Sequence, residues 1–178
     1  MTLPRLPFAC APYHGTVVDP KELKRSVEIA VAHIRKLTAS GEEVHAVAGK
    51  GISGIPIAGA VAAQLGLYPM FLVSPRDGET RQLDRRYFGP LGRFRFVIVD
   101  DMISSGFTLR EMLETLAGEA PEARCAAVSL YRTGTRDECR LVSTRDFRVF
   151  KRHIRWNNQR IPLLDPPENR EALYFPTA

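Results

Sequence analysis

Cysteine is sparse in this chain of 178 residues. Its three cysteines, Cys10, Cys125 and Cys139, cannot close a complete disulfide set, which excludes a disulfide-stapled secreted scaffold and makes a reducing cytoplasm the expected setting. Long hydrophobic runs are missing too. The longest apolar stretch, residues 55–73, is broken by Pro56, Gln64, Gly66 and Pro69, so it reads as buried protein and not as a membrane span. No basic head followed by an apolar run opens the chain, and no secretory signal is expected. The histidines are few, and His14, His33, His45 and His153 show no ligand spacing, so no metal centre is expected on them. Internal repeats and low-complexity tracts are absent from the sequence as well.

What remains is ordinary for one globular domain: 44% apolar and 25% charged residues, enough to bury a sizeable core and too little chain for two enzyme domains joined by a linker. Twenty-five Lys and Arg against twenty Asp and Glu leave a formal charge of +5, which favours anionic partners without distinguishing nucleic acid from small phosphorylated molecules.

Along the chain, strand and helix patterns alternate. Asp19-Pro20-Lys21-Glu22 reads as a helix start, with Asp19 as N-cap and Glu22 completing a capping box. Leu23, Val27, Ala30, Val31, Ile34 and Leu37 then recur at helical spacing as far as a stop at Gly41. Residues 44–48 form a short apolar strand that runs into a glycine turn, residues 49–54, and an Ala-rich helix from about Ile55 to Leu65. A second strand spans residues 70–73. The polar, Arg-rich stretch after it, residues 74–93, is long enough to be a lid or binding loop. The third strand, residues 94–99, ends in Asp100-Asp101. A turn and a helix follow, the helix with Leu109, Met112, Leu113 and Leu116 on one side, and residues 126–131 form the fourth strand.

Buried strands alternating with helices predict an α/β fold, a parallel central sheet with helices on both faces, whose ligands sit beyond the strand C-termini. The expected core covers about residues 20–135. Residues 136–178, with residues 1–18 as a candidate contribution, are expected to make a small hood over the sheet edge, with weak strands near Leu141 and from Phe147 to Phe150.

The most informative run is Val97-Ile98-Val99-Asp100-Asp101-Met102-Ile103-Ser104-Ser105-Gly106-Phe107-Thr108. Two adjacent carboxylates at the end of a buried strand repel each other and resist desolvation, so a metal, cationic groups or hydrogen-bond donors such as sugar hydroxyls must offset them. Directly behind them, Ser104, Ser105, Gly106 and Thr108 put hydroxyls and backbone N–H groups at a helix N-terminus, a ready phosphate site. An acidic metal pocket of the response-regulator kind is the competing reading, but the first strand there should end in a phosphoacceptor Asp, and here it ends in Gly49-Lys50.

This run resembles the phosphoribosyl diphosphate signature of the type I phosphoribosyltransferases: a hydrophobic strand, two acids, two apolar residues, and a hydroxyl-rich turn with glycine. The resemblance implies that Asp100 and Asp101, as the catalytic pair, hold the ribose hydroxyls, and that Ser104, Ser105, Gly106, Phe107 and Thr108 cradle the 5-phosphate. It implies that Gly49, Lys50, Gly51 and Arg76 face the diphosphate, and that Arg81, Arg85 and Arg86 lie on a flexible lid, where a solvated loop is the plainer reading. Mg2+ is the implied cofactor, carried by the diphosphate and ribose hydroxyls with Asp100 and Asp101 partly in its outer sphere. The implied reaction transfers phosphoribose from phosphoribosyl diphosphate to a nucleobase with release of diphosphate. A purine is favoured and orotate would also suit. Tyr131, Arg132 and Trp156 are the candidates for the base, and a homodimer is expected.

The tail carries Arg145, Arg148, Lys151, Arg152, His153, Arg155, Trp156 and Arg160. A solvated face is the plain reading; a base-binding hood or a nucleic-acid patch are the functional ones. The rival overall reading is therefore a non-catalytic regulator of the same fold, which senses phosphoribosyl diphosphate and binds nucleic acid through this tail.

Overall fold

The computed structural model describes residues 19–72, 94–103, 106–132, 145–150 and 152–166. Helix α1, Pro20–Ala39, is capped by Asp19, whose carboxylate accepts from the Lys21 N–H at 2.9 Å, and the chain leaves it through Gly41 at φ +91°. Strand β1, Ala46–Lys50, passes straight into α2, Gly51–Leu65. Strand β2, Tyr68–Leu72, strand β3, Arg95–Asp100, helix α3, Phe107–Glu119, and strand β4, Arg124–Leu130, follow. The last three strands are β5, Phe147–Val149, β6, His153–Trp156, and β7, Gln159–Leu164.

All seven strands form one sheet in the order β2-β1-β3-β4-β7-β6-β5. The neighbours from β2 through to β7 run parallel, while β5, β6 and β7 pair antiparallel. The expected α/β fold is present, with helices on both faces. Val27, Ala30 and Ile34 of α1 and Ile57 and Val61 of α2 pack on one face with Val47, Val97 and Val99. Leu109, Met112, Leu113 and Leu116 of α3 pack on the other with Ala48, Ile98 and Val128. Alternate residues of one strand thus serve two separate cores, which is why the strands read as unbroken apolar runs. Pro69 is tolerated because β2 is an edge strand and needs no outward donor.

One expectation needs correction. The glycine turn over residues 49–54 does not form: β1 extends to Lys50 and α2 begins at Gly51, four residues ahead of the expected start. The reason is close packing, since the glycine backbones at 49 and 54 touch and let strand and helix meet without a loop. Over its described part the tail, expected as a hood over the sheet edge, adds strands at that edge, where Val128 and Ser129 of β4 pair with Leu163 and Leu164 of β7. Asn157 and Asn158, at φ +45° and +64°, make the two-residue turn between β6 and β7. The weak strand near Leu141 lies outside the described residues.

His33 ties α1 to this extension. One ring nitrogen bonds the Ser129 hydroxyl at 2.9 Å and the other the Asp165 carbonyl at 2.8 Å, which suits a neutral ring with Nε2–H donating to the carbonyl and Nδ1 accepting. Burial, reinforced by nearby Lys36, lowers its pKa to about 4. Among the described residues no helix is long and apolar enough to cross a membrane.

Candidate functional site

The sheet reverses its winding between β1 and β3: from β1 the chain goes to β2 on one side, and β3 pairs with β1 on the other. Open α/β sheets bind ligands in the crevice at such a point, beyond the strand C-termini. Here those ends are Gly49-Lys50 and Asp100-Asp101.

Asp100 and Asp101 are both buried, at 8% exposure each. The Asp101 N–H donates to Asp100 Oδ1 at 3.0 Å and the Met102 N–H to Asp101 Oδ1 at 2.8 Å, so the bend after β3 holds both carboxylates in place. Their main-chain carbonyls accept from the Tyr131 and Arg132 N–H groups, at 3.2 and 3.0 Å, locking the bend to the end of β4. The Asp100 carboxyl is pushed well above the usual carboxylate range, first by desolvation and then by the Asp101 charge, and the Ser53 side chain opposes this by hydrogen bonding to it. An acid pair held so far from water is stabilised by any donor or cation that reaches it.

Ser53 arrives from α2, and glycine determines how. A Cβ on Gly49 would stand 2.4 Å from the Gly54 carbonyl oxygen and 2.8 Å from Ala58 Cβ, so only glycine lets the first turn of α2 lie against β1. A Cβ on Gly54 would in turn stand 3.2 Å from the Val99 carbonyl oxygen of β3. The Tyr131 hydroxyl donates to the Ser53 carbonyl at 2.9 Å and fixes the same turn from the β4 side. Burial and the two acids push that hydroxyl above its ordinary pKa, so it stays a donor.

On the other side of the acids Gly106, at φ +80°, precedes α3. A Cβ there would meet Phe147 at 3.3 Å as well as adopt a strained φ, so the position requires glycine twice over. Phe107 and Thr108, the first residues of α3, are exposed, Phe107 at 52%. The helix N-terminus thus opens just behind the acid pair, its dipole positive toward that side.

The structure brings Gly49, Lys50, Gly51, Asp100, Asp101, Gly106, Phe107 and Thr108 to the C-terminal end of the central strands. It treats others differently from the sequence reading. The Lys50 ammonium, expected to face a diphosphate, is ion-paired with Glu111 of α3, and both side chains are largely buried. Trp156, expected to stack on a base, is buried among Leu109, Phe147 and other residues of the α3-side core and offers no open face. Tyr131 is likewise buried and works as the Ser53 clamp. Arg132 is exposed beside the acids' carbonyl bonds. Ser104, Ser105, Arg76, Arg81, Arg85 and Arg86 lie outside the described residues.

Three residues of the site were missed in the sequence: Ser53, Gly54 and Glu111. The Gly49-x-x-x-x-Gly54 spacing could have signalled the close approach of strand to helix. Glu111 carried no signal, because an acid on a helix is usually a solvated charge.

Among the described residues no cluster of three or more His, Cys, Asp and Glu could hold a metal ion. Two buried carboxylates with hard oxygens fit a cation that brings most of its oxygen ligands with its substrate, as Mg2+ does.

The profile of the family described as "Phosphoribosyl transferase domain" matches residues 18–165. Two curated relatives are the transcriptional regulator GfcR 2 of Methanosarcina barkeri and the transcriptional regulator GfcR of Archaeoglobus fulgidus. The first is 31% identical over 111 residues, covering 60% of this chain and 53% of the relative. The second is 30% identical over 98 residues, 52% of this chain and 50% of the relative. The chain therefore spans about half the length of these relatives. Among solved structures, an adenine phosphoribosyltransferase superposes with a TM-score of 0.53 at 15% identity, covering 84% of this chain and 82% of its own. The orotate phosphoribosyltransferase of Aeropyrum pernix gives 0.49 at 20% identity, covering 65% and 61%.

Proposed function

We propose that this chain, which belongs to the phosphoribosyl transferase domain family, binds phosphoribosyl diphosphate at the β1–β3 switch point and transfers its phosphoribosyl group to a nucleobase. The observation that carries the reading is the buried Asp100-Asp101 pair set between α2 and the N-terminus of α3. Two ribose hydroxyls add donors to the carboxylate oxygens beyond those of the Asp101 and Met102 N–H groups and the Ser53 side chain, and the amides opening α3, with Ser104 and Ser105, are the proposed seat of the 5-phosphate.

Glycosidic cleavage builds positive charge on the ribose ring and negative charge on the departing diphosphate. Asp100 and Asp101 hold the ring and lie near the developing cation; the backbone of Gly49, Lys50 and Gly51 is the proposed contact for the leaving group, with Arg76 as the candidate cation for it. Mg2+, held through substrate oxygens beside Asp100 and Asp101, would supply further neutralisation of the diphosphate. Arg132, exposed at the end of β4, is the candidate to meet the base, and a purine is the proposed acceptor.

A second reading is favoured by the curated relatives, which are named as transcriptional regulators. In it the same site binds phosphoribosyl diphosphate as a signal and transfers nothing. One assay separates the two: diphosphate release from phosphoribosyl diphosphate and Mg2+ with a panel of purines, orotate and uracil. Release with one base, abolished by Asp100→Asn with Asp101→Asn, supports the enzyme. Thermal protection by phosphoribosyl diphosphate without release supports the sensor. Neither release nor protection overturns both.

A further inference from the structure

The β5–β6–β7 ribbon adds a feature that the phosphoribosyl site does not use. Its inward residues, Phe147, Ile154, Trp156, Ile161 and Leu163, are buried against α3. Its outward residues include three arginines in one row, since Arg148 stands directly opposite Arg155, and Arg155 directly opposite Arg160. All three are exposed, and among the described residues none is ion-paired. Like charges at directly opposed positions, with Cβ atoms about 5 Å apart, destabilise a sheet. The turn at Asn157 and Asn158 nevertheless holds this register, because a two-residue loop leaves β6 and β7 no freedom to slip. Phe150 lies beside the row, two residues past Arg148 and opposite His153. It is exposed, its N–H donates to the His153 carbonyl at 2.8 Å, and its ring stacks on the His153 ring with centroids 4.6 Å apart and planes 9° apart.

We propose that this face, Arg148, Arg155 and Arg160 with the stacked Phe150 and His153, is a binding surface for single-stranded nucleic acid. The charge calls for a polyanion, as three exposed guanidinium groups spread over about 10 Å of neighbouring strands match successive phosphates of one chain. The aromatic pair adds a flat ring on which a base stacks whatever its identity. A duplex fits less well. β-Ribbons read duplex DNA by entering a major groove about 12 Å wide, whereas these arginines stand on the broad face of three strands joined to a larger sheet. The surface is separate from the acid pair and serves either reading of that site.

Fluorescence anisotropy with the full chain tests the proposal, using labelled oligo-dT and oligo-U of about twelve nucleotides and a duplex of equal length, across about 50 to 200 mM salt. Both single strands are expected to bind more tightly than the duplex. Arg148→Ala with Arg155→Ala and Arg160→Ala weakens binding tenfold or more and lowers the slope of log affinity against log salt by about 2, at about 0.7 for each phosphate no longer neutralised. Phe150→Ala weakens binding about tenfold with the slope unchanged. Should the triple variant fail to fold, Arg155→Gln alone lowers the slope by about 0.7. Asp100→Asn leaves the oligonucleotide affinity unchanged, which keeps this test independent of the phosphoribosyl reading. Tighter binding of the duplex, no binding of either single strand, or a folded arginine variant with unchanged affinity and slope overturns the proposal.

Discussion

Replacing Gly49 by alanine puts a methyl group where there is no room. The new Cβ would stand 2.4 Å from the Gly54 carbonyl oxygen, 2.6 Å from its carbon and 2.8 Å from Ala58 Cβ. The obstacle is mostly backbone, so no rotamer change relieves it. Gly54 cannot simply retreat either: it lies close to the Val99 carbonyl, and the preceding residue is held by the Tyr131 hydroxyl. Overpacking of this kind costs about 1–3 kcal/mol. In a domain of this size each kcal/mol lowers Tm by about 2–4 °C, so Gly49→Ala is expected to melt roughly 2–12 °C below the parent chain. The displaced turn carries Ser53 with it, so thermal protection by phosphoribosyl diphosphate should weaken as well. Gly118→Ala is the control. A Cβ there meets nothing within 4 Å and sits in a helix, so that variant should hold or gain stability, by up to about 0.5–1 kcal/mol. Thermal melts followed by circular dichroism read both. A Gly49→Ala chain that melts at or above the parent temperature would refute the argument that a glycine contact seats α2 beside the acids.

Asp100→Asn replaces a carboxyl whose charged form is already disfavoured by burial and by the Asp101 charge, so the variant should melt no lower than the parent while losing roughly tenfold to a hundredfold in affinity for phosphoribosyl diphosphate by titration calorimetry; loss of both stability and affinity would contradict the reading. Tyr131→Phe removes the hydroxyl that adds a bond to the Ser53 carbonyl and should cost about 0.5–1.5 kcal/mol in urea unfolding, where no measurable change would show that the clamp is unimportant. His33 gives a pH dependence of known sign. Its folded pKa is lowered to about 4 from an ordinary 6.5, so its contribution to stability is fully present above about pH 6.5 and is lost as pH falls toward about 4. His33→Gln should flatten the fall of stability across that window by up to one proton, read from urea unfolding at stepped pH; an unchanged profile would exclude His33 as its source.

Much of the architecture follows from local chemistry alone. The capped start at Asp19-Pro20, the apolar strand runs and the stop signals act over a few residues, and they specify alternating strands and helices wherever they occur. The acid pair was equally visible, since two adjacent carboxylates closing a buried strand resist desolvation and call for a donor or cation to offset them. Other features depend on which segments meet, and no short window of sequence contains that. Helix α2 starts at Gly51 because Gly49 and Gly54 touch, Lys50 is neutralised by an acid 61 positions away, and Trp156 is covered because β5, β6 and β7 join the sheet edge. The arginine row shows the division most clearly. Its basic residues were visible in the composition of the tail, but placing Arg148, Arg155 and Arg160 side by side required a strand register set by hydrogen bonding and by the Asn157–Asn158 turn. Local preference chooses the elements; contacts between residues distant along the chain choose what each element faces.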